Sequence, residues 1–206
     1  MSRWTRRIGV VGVVLVAAGL LSGCKTALEN NVTIAAGGAH TCVVKADQTI
    51  ECWGSSDKDQ LGVPTYAGPS APSGSKSPIT VGGLVDVIGV AAGPQASCAL
   101  RATGAVWCWG DNTSRQLGAR NDDSIEIPWS VPNLSGAVAV TMGSRHSCAV
   151  VTGALARCWG ANEVGQLGDG TTTQRAAPTS VVGGSSVTFI DAGTAHTCAR
   201  FGDGKQ

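Results

Sequence analysis

"RCWGANEVGQLGDG", residues 157–170, holds a cysteine, a tryptophan and four glycines in fourteen positions. A catalytic loop, a metal loop and a structural repeat are all compatible with that composition. "IECWGSSDKDQLG" (50–62) and "VWCWGDNTSRQLG" (106–118) share its skeleton, a Cys-Trp-Gly triplet with Gln-Leu-Gly beginning eight residues after the cysteine. The stretch is therefore a repeat, and the period has to be read before any chemistry.

Working outward, a second motif precedes each copy. "AAGGAHTCVV" (35–44), "AAGPQASCAL" (91–100), "TMGSRHSCAV" (141–150) and "DAGTAHTCAR" (191–200) place Gly37, Gly93, Gly143 and Gly193 five residues before Cys42, Cys98, Cys148 and Cys198. Successive cysteines of this set are 56, 50 and 50 residues apart, and Cys52, Cys108 and Cys158 follow the first three at a spacing of ten. Between paired cysteines the chain reads strand, turn, strand, with Ala46-Asp47-Gln48, Thr103-Gly104, Thr152-Gly153 and Asp203-Gly204 as turn residues. A three-residue turn sets the paired cysteines opposite one another on antiparallel neighbours, near disulfide reach. Alternation then sends Cys52 and Trp53 to opposite faces of one strand. Both are apolar, so both faces are covered, as in a small sheet stacked between two like sheets. That is a propeller blade.

The remaining strands are expected from "APTSVVG" (177–183) and "LVDVIGVAAG" (84–93), while "PTYAGPSAPSGSKSP" (64–78), about six residues longer than its counterparts, reads as a surface loop. The expected fold is all-β: three complete repeats (about 32–87, 88–137 and 138–187) and a partial fourth (188–206). Composition agrees, since 29 glycines favour turns and six of nine aromatic residues are tryptophan.

The first 23 residues read as an export signal. "MSRWTRR" is a basic start, "IGVVGVVLVAAGL" an apolar core too short to span a bilayer comfortably, and "LSGC" follows at once. Leu21, Ser22, Gly23 and Cys24 resemble a bacterial lipobox, which implies cleavage before Cys24 and lipid on its sulfur, with 24–31 as a tether. Lys25 after the anchor suits delivery to the outer membrane, where the envelope has one. Loss of Arg3, Arg6 and Arg7 leaves twelve basic residues against fourteen acidic, about −2, without the basic patch that nucleic acid needs.

The Gly-x-x-His-Thr/Ser-Cys, Cys-Trp-Gly and Gln-Leu-Gly elements at a period near fifty resemble the regulator of chromosome condensation repeats, in the cysteine-containing form of exported bacterial proteins. The resemblance spans nearly all of 32–204. It implies a β-propeller, usually seven-bladed, that binds other proteins through its faces and loops. WD-repeat and kelch patterns fit less well. Three complete repeats fall short of seven, so the expectation is a partial or incomplete ring: a piece of a longer product, or an arc that self-associates.

Within that frame, Cys42–Cys52, Cys98–Cys108 and Cys148–Cys158 read as hairpin disulfides in an exported chain, the alternative being buried thiols that face one another. Trp53, Trp109 and Trp159 recur and are assigned to packing between blades. Trp107 and Trp129 do not recur, their counterparts being Glu51 and Arg157, and Thr179, so they are candidate contacts for a partner protein. The inserts "SSDKD", "DNTSR" and "ANEVG" vary between constant flanks and add Asp57, Lys58, Asn112, Arg115, Asn162 and Glu163 to the partner-binding candidates. His40, His146 and His196 are assigned to hydrogen bonding near the blade starts, because Ala96 occupies their position in the second repeat. No cofactor and no metal is expected, since metal-ligand spacings are missing and "DNTSRQ" and "GDGTTTQ" lack a calcium loop's acidic ladder. The functional expectation is a lipid-anchored, non-enzymatic protein-binding module. The alternatives are a carbohydrate- or wall-binding lectin-like module using Trp107 or Trp129, and a truncated, non-functional product.

Overall fold

The computed structural model describes residues 33–64, 73–119 and 123–202. The signal, Cys24, the tether and the Asp203-Gly204 turn lie outside the described residues. Within them the chain forms only strands. The first blade contains β1 (Ile34–Ala36), β2 (His40–Val44), β3 (Ile50–Ser55) and β4 (Gly74–Thr80), hydrogen-bonded in that order. The second blade repeats the meander with β5 (Val87–Ala92), β6 (Ala96–Arg101), β7 (Val106–Gly110) and β8 (Ile125–Ser130). The third has β9 (Ala137–Met142), β10 (His146–Val151), β11 (Leu155–Gly160) and β12 (Arg175–Ser180), and the fourth shows β13 (Val187–Ala192) paired with β14 (Thr197–Phe201). The expected all-β propeller architecture is present. Residues 74–78, assigned to a loop from their serines and prolines, instead open β4. As an outer strand β4 is paired on one side only, which is where a sheet tolerates Pro78, and Pro128 and Pro178 hold the same place in β8 and β12.

Cys42, Cys98 and Cys148 each stand in register with the cysteine ten residues on, and all three pairs are disulfides, with Cα atoms 4.0–4.1 Å apart. Each closes a short hairpin and contributes about 2–3 kcal/mol through loop entropy. Replacing Cys98 and Cys108 together by alanine should therefore lower the unfolding free energy by about that amount, read from urea titration. Cys198 is exposed and unpaired.

Three apolar seams hold the blades together. Cys42, Cys52, Leu61 and Val81 of the first blade pack against Val87, Val90, Ala99 and Trp109 of the second. Cys98, Cys108, Leu117 and Val131 of the second pack against Val140, Met142 and Trp159 of the third. Cys148, Cys158 and Leu167 meet Val187 and Ile190 of the fourth. Every disulfide thus faces the following blade, and Trp109 and Trp159 face the preceding one, so the second and third blades are dry on both faces. Trp109 and Trp159 are fully buried. Trp53 is only half-buried, because no described blade precedes β3 to cover it.

The inner strands β1, β5, β9 and β13 stand side by side, and their far ends converge on the repeating glycine. A Cβ on Gly93 would lie 2.7 Å from the Gly143 carbonyl oxygen, and Gly37 and Gly143 are as closely faced by Gly93 and Gly193. Backbone touches backbone there, and no side chain fits. Gly93→Ala should lose about 1–3 kcal/mol of stability by overpacking, whereas Gly89→Ala in β5, with Leu100 3.6 Å away as its nearest neighbour, should be close to neutral in the same urea titration. The glycine of Cys-Trp-Gly is required twice over. Gly160 has φ +104° and a Cβ there would sit 2.8 Å from the His146 Cα.

Candidate protein-interaction surface

The recurring polar residues are consumed by the seams. The Gln60 carbonyl in the first blade accepts from Trp109 Nε1–H at 2.9 Å and from the Ser97 hydroxyl at 3.1 Å, both in the second. One seam on, Gln116 accepts from Trp159 Nε1–H at 2.8 Å and Ser147 at 2.7 Å. In the third, Gln166 accepts from Thr197 at 2.9 Å. The glutamine side chains turn back on their own loops, their Oε1 atoms accepting the backbone N–H of Lys58, Ser114 and Val164.

His40 Nε2 lies 2.8 Å from Ser97 Oγ, and His146 Nε2 2.9 Å from Thr197 Oγ1. Each hydroxyl has a single proton and gives it to a glutamine carbonyl, so the imidazole must donate from Nε2 and is neutral. Its Nδ1 is buried without a partner. A second ring proton would be placed where nothing accepts it, and burial lowers both imidazoles to a pKa of about 4, the neighbouring His196 adding to the effect at His146. The histidines are seam components, as their Ala96 counterpart foreshadowed. His196 neighbours His146 from the fourth blade but is itself exposed.

The variable loops separate into inward and outward residues. Asn112 and Asn162 are buried, and their Oδ1 atoms accept from Leu117 and Leu167 N–H at 3.0 Å. Asn162 Nδ2 also donates to the Thr171 and Thr173 carbonyls. These two asparagines shape their loops and do not present a surface to a partner, which corrects their assignment. Arg115 is half-buried and adopts φ +58°, a left-handed conformation shared by Asp59 and Gly165 at the same place. Asp57, Lys58 and Glu163 are exposed, and Glu163 pairs with Arg145 at 3.3 Å. Beside it stands Val164, 70% exposed, an apolar member of the same variable insert.

The two unrepeated tryptophans part company. Trp107 is half-buried against the core of the first seam, with its Nε1 enclosed, and is not the solvent-facing contact that its polar counterparts implied. Trp129 on β8 is 47% exposed, with Ile127 on the same strand 54% exposed. The equivalents of Ile127 are Ser77 and Ala177, so this apolar edge is particular to the second blade. Beside Trp129 a groove runs between Gly118, Ala119, Ser124, Ile125 and Pro132. The Ser124 hydroxyl donates to the Asp59 carboxylate, tying the groove wall to the first blade's loop.

The segment resembling a calcium loop is closed by protein groups. Asp169 accepts from Arg175 Nε at 2.7 Å, from the Thr171 hydroxyl at 2.7 Å and from Asn162 at 3.0 Å. The Thr171 hydroxyl, then the Arg175 guanidinium, hold its carboxyl well below the usual carboxylate range. Among the described residues no three His, Cys, Asp or Glu side chains group as metal ligands.

Family models described as "Regulator of chromosome condensation (RCC1) repeat" match residues 103–150 and 158–200, and 87–116 and 137–166. Together they cover 87–200, more than half of the chain. The chain belongs to the RCC1 repeat family. Its RCC1 repeats are 30% identical over 111 residues to Protein pim1 of Schizosaccharomyces pombe, covering 50% of this chain and 21% of that one. They are 33% identical over 103 residues to the human E3 ubiquitin-protein ligase HERC2, covering 49% and 2%. The crystal structure of Prp20p from Saccharomyces cerevisiae superposes with TM-score 0.72 at 21% identity over 81% of this chain and 42% of that one. Human WBSCR16 superposes with TM-score 0.72 at 20% identity over 82% and 45%. The chain thus spans about a fifth of pim1 and under half of each of these two solved chains.

Proposed function

We propose that this chain is an exported, lipid-anchored, non-enzymatic RCC1-repeat module that binds another protein through the outer edge of its second blade and the adjoining loops. The observation that carries this reading is the division between repeated and unrepeated residues. The recurring Gln, Trp and glycines are spent in the seams, while among the residues that differ Asp57, Lys58, Glu163, Val164, Ile127 and Trp129 are exposed, the last two forming the apolar edge. Exposed aromatic and aliphatic side chains beside a polar loop are the usual anchors of protein contacts. Export is supported by the lipobox-like "LSGC" and by three disulfides, which persist in oxidising compartments. Protein binding is supported by the neighbours, since one study of Prp20p concerns its binding to Gsp1p and histones and another shows Kap60 bound to it.

A photocrosslinking amino acid placed at Ser130, beside Trp129, should give one dominant protein adduct in intact cells, and Ile127→Ser with Trp129→Ser should abolish it. Adducts that persist in that double variant would refute the assignment. The open indole over a groove also admits the second reading, a sugar ring stacked on Trp129. Glycan-array binding lost in Trp129→Ala, with no protein adduct, would establish that alternative instead.

A further inference from the structure

The two ends of the arc are chemically unlike. In each blade the innermost strand starts where the chain crosses from the previous blade and runs to the glycine corner. At the crossover end, Val87 N–H bonds the Gln48 carbonyl at 3.0 Å, and Ala102 N–H the Asp86 carbonyl at 2.8 Å, joining hairpins to crossovers. At the glycine-corner end, Asp111 N–H bonds Gln95 and Ala161 N–H bonds Arg145, joining the variable loops to the corners.

Nine large apolar side chains are exposed among the described residues, and five of them (Val85, Ile88, Val138, Leu155 and Val182) belong to the crossover end, Val138 at 59% and Val182 at 73%. The variable loops at the opposite end contribute Val164 alone. Two charge pairs stand at the crossover end, Arg101 with Asp86 at 3.5 Å and Lys45 with Glu51 at 3.1 Å, and Arg157 donates to the Ser180 hydroxyl at 2.7 Å. The chain also enters the fold there, where the Thr33 carbonyl accepts from Val44 N–H at 2.8 Å just before the hairpin. Cys24 lies nine residues before Thr33. Fully extended, that stretch reaches about 30 Å, and one six-residue strand alone is about 20 Å long. To bring the glycine-corner end to a membrane, the tether would have to run the height of a blade, which takes up about two thirds of that reach.

We propose that the crossover end is a membrane-resting face. Val85, Ile88, Val138, Leu155 and Val182 settle into the boundary between headgroups and acyl chains of the bilayer that holds the lipid on Cys24. This rests on the anchor reading of Cys24. Apolar contact of this kind supplements a lipid anchor and fixes the orientation of what it carries. Asp57, Lys58, Glu163 and Val164 then point away from the membrane, and the Trp129 edge stands to the side, open to a partner.

The test uses the chain from Cys24 onward with Cys198→Ser, coupled through the Cys24 thiol to a maleimide lipid in phosphatidylethanolamine–phosphatidylglycerol vesicles. A nitroxide carried on a keto amino acid is placed at Val138 or at Val164. On anchoring, the Val138 label should lose collisions with a water-soluble nickel chelate and gain collisions with oxygen, while the Val164 label keeps its access to nickel. Val85→Asp with Val182→Asp, both at exposed sites, should restore nickel access at Val138. Equal nickel access at the two labels would overturn the proposal. So would protection at Val138 without the gain in oxygen collisions, which marks cover by protein. Mass analysis of Cys24 in the protein from cells separates the two readings: acylated Cys24 with an unprotected Val138 label sinks this inference alone, and unmodified Cys24 sinks the anchor reading and this inference with it.

Discussion

Trp159→Ala should lower the unfolding free energy by about 3–5 kcal/mol, the range for a large aromatic removed from a closed core. Trp159 is fully buried between the second and third blades, and its Nε1–H satisfies the Gln116 carbonyl at 2.8 Å. Truncation leaves a cavity beside Leu117 and Val131 and removes one of the two donors to that carbonyl, Ser147 remaining. Trp53→Ala should cost markedly less, since that ring is only partly buried and has no described blade packed over it. Urea unfolding of the two variants side by side decides the matter. Equal losses would mean that burial between blades is not what the recurring tryptophan contributes.

Acid should loosen the same seams. His40 and His146 are neutral in the fold, with pKa values of about 4 against 6.5 in the unfolded chain. Because the folded values are depressed, the unfolded chain takes up protons first as pH falls. The stability held above about pH 6.5 is therefore lost progressively down to about pH 4 and changes no further from this source below that. Each imidazole accounts for about 3 kcal/mol over that window. Asp169, held below the ordinary carboxylate range, loses its contribution only at pH values under that of a free carboxyl and stays outside the window. Urea midpoints at pH 7 and pH 4.5 should differ strongly in the parent chain and much less in His40→Ala with His146→Ala. The second repeat, with Ala96 at this position, shows that a seam forms without the imidazole. An unchanged acid sensitivity in the double variant would place its origin elsewhere.

The blade was legible in the sequence because its determinants are local. A spacing of ten around a three-residue turn dictates that Cys148 faces Cys158, and alternation dictates that Trp159 points the other way. Two faces of one strand both apolar leave stacking as the only way to keep them dry, and all three described seams follow. The candidate surface was legible only in part. Asp57, Lys58, Glu163 and Trp129 are exposed as their variability suggested, yet Asn112 and Asn162 sit in the same variable inserts and are buried.

By itself the sequence determined the period, the hairpins, the facing of the paired cysteines and the placing of each recurring tryptophan on the opposite face from its neighbouring cysteine, since these depend on residues a few positions apart. Tertiary structure decided which variable residues are seen from outside. A loop folding back on itself turns an asparagine amide inward to satisfy Leu167 N–H, a bond no spacing announces. It also decided the fate of Trp107, whose counterparts Glu51 and Arg157 suggested solvent. Long polar side chains can lie along an apolar wall and keep only their tips in water, so their presence at a position does not make that position wet.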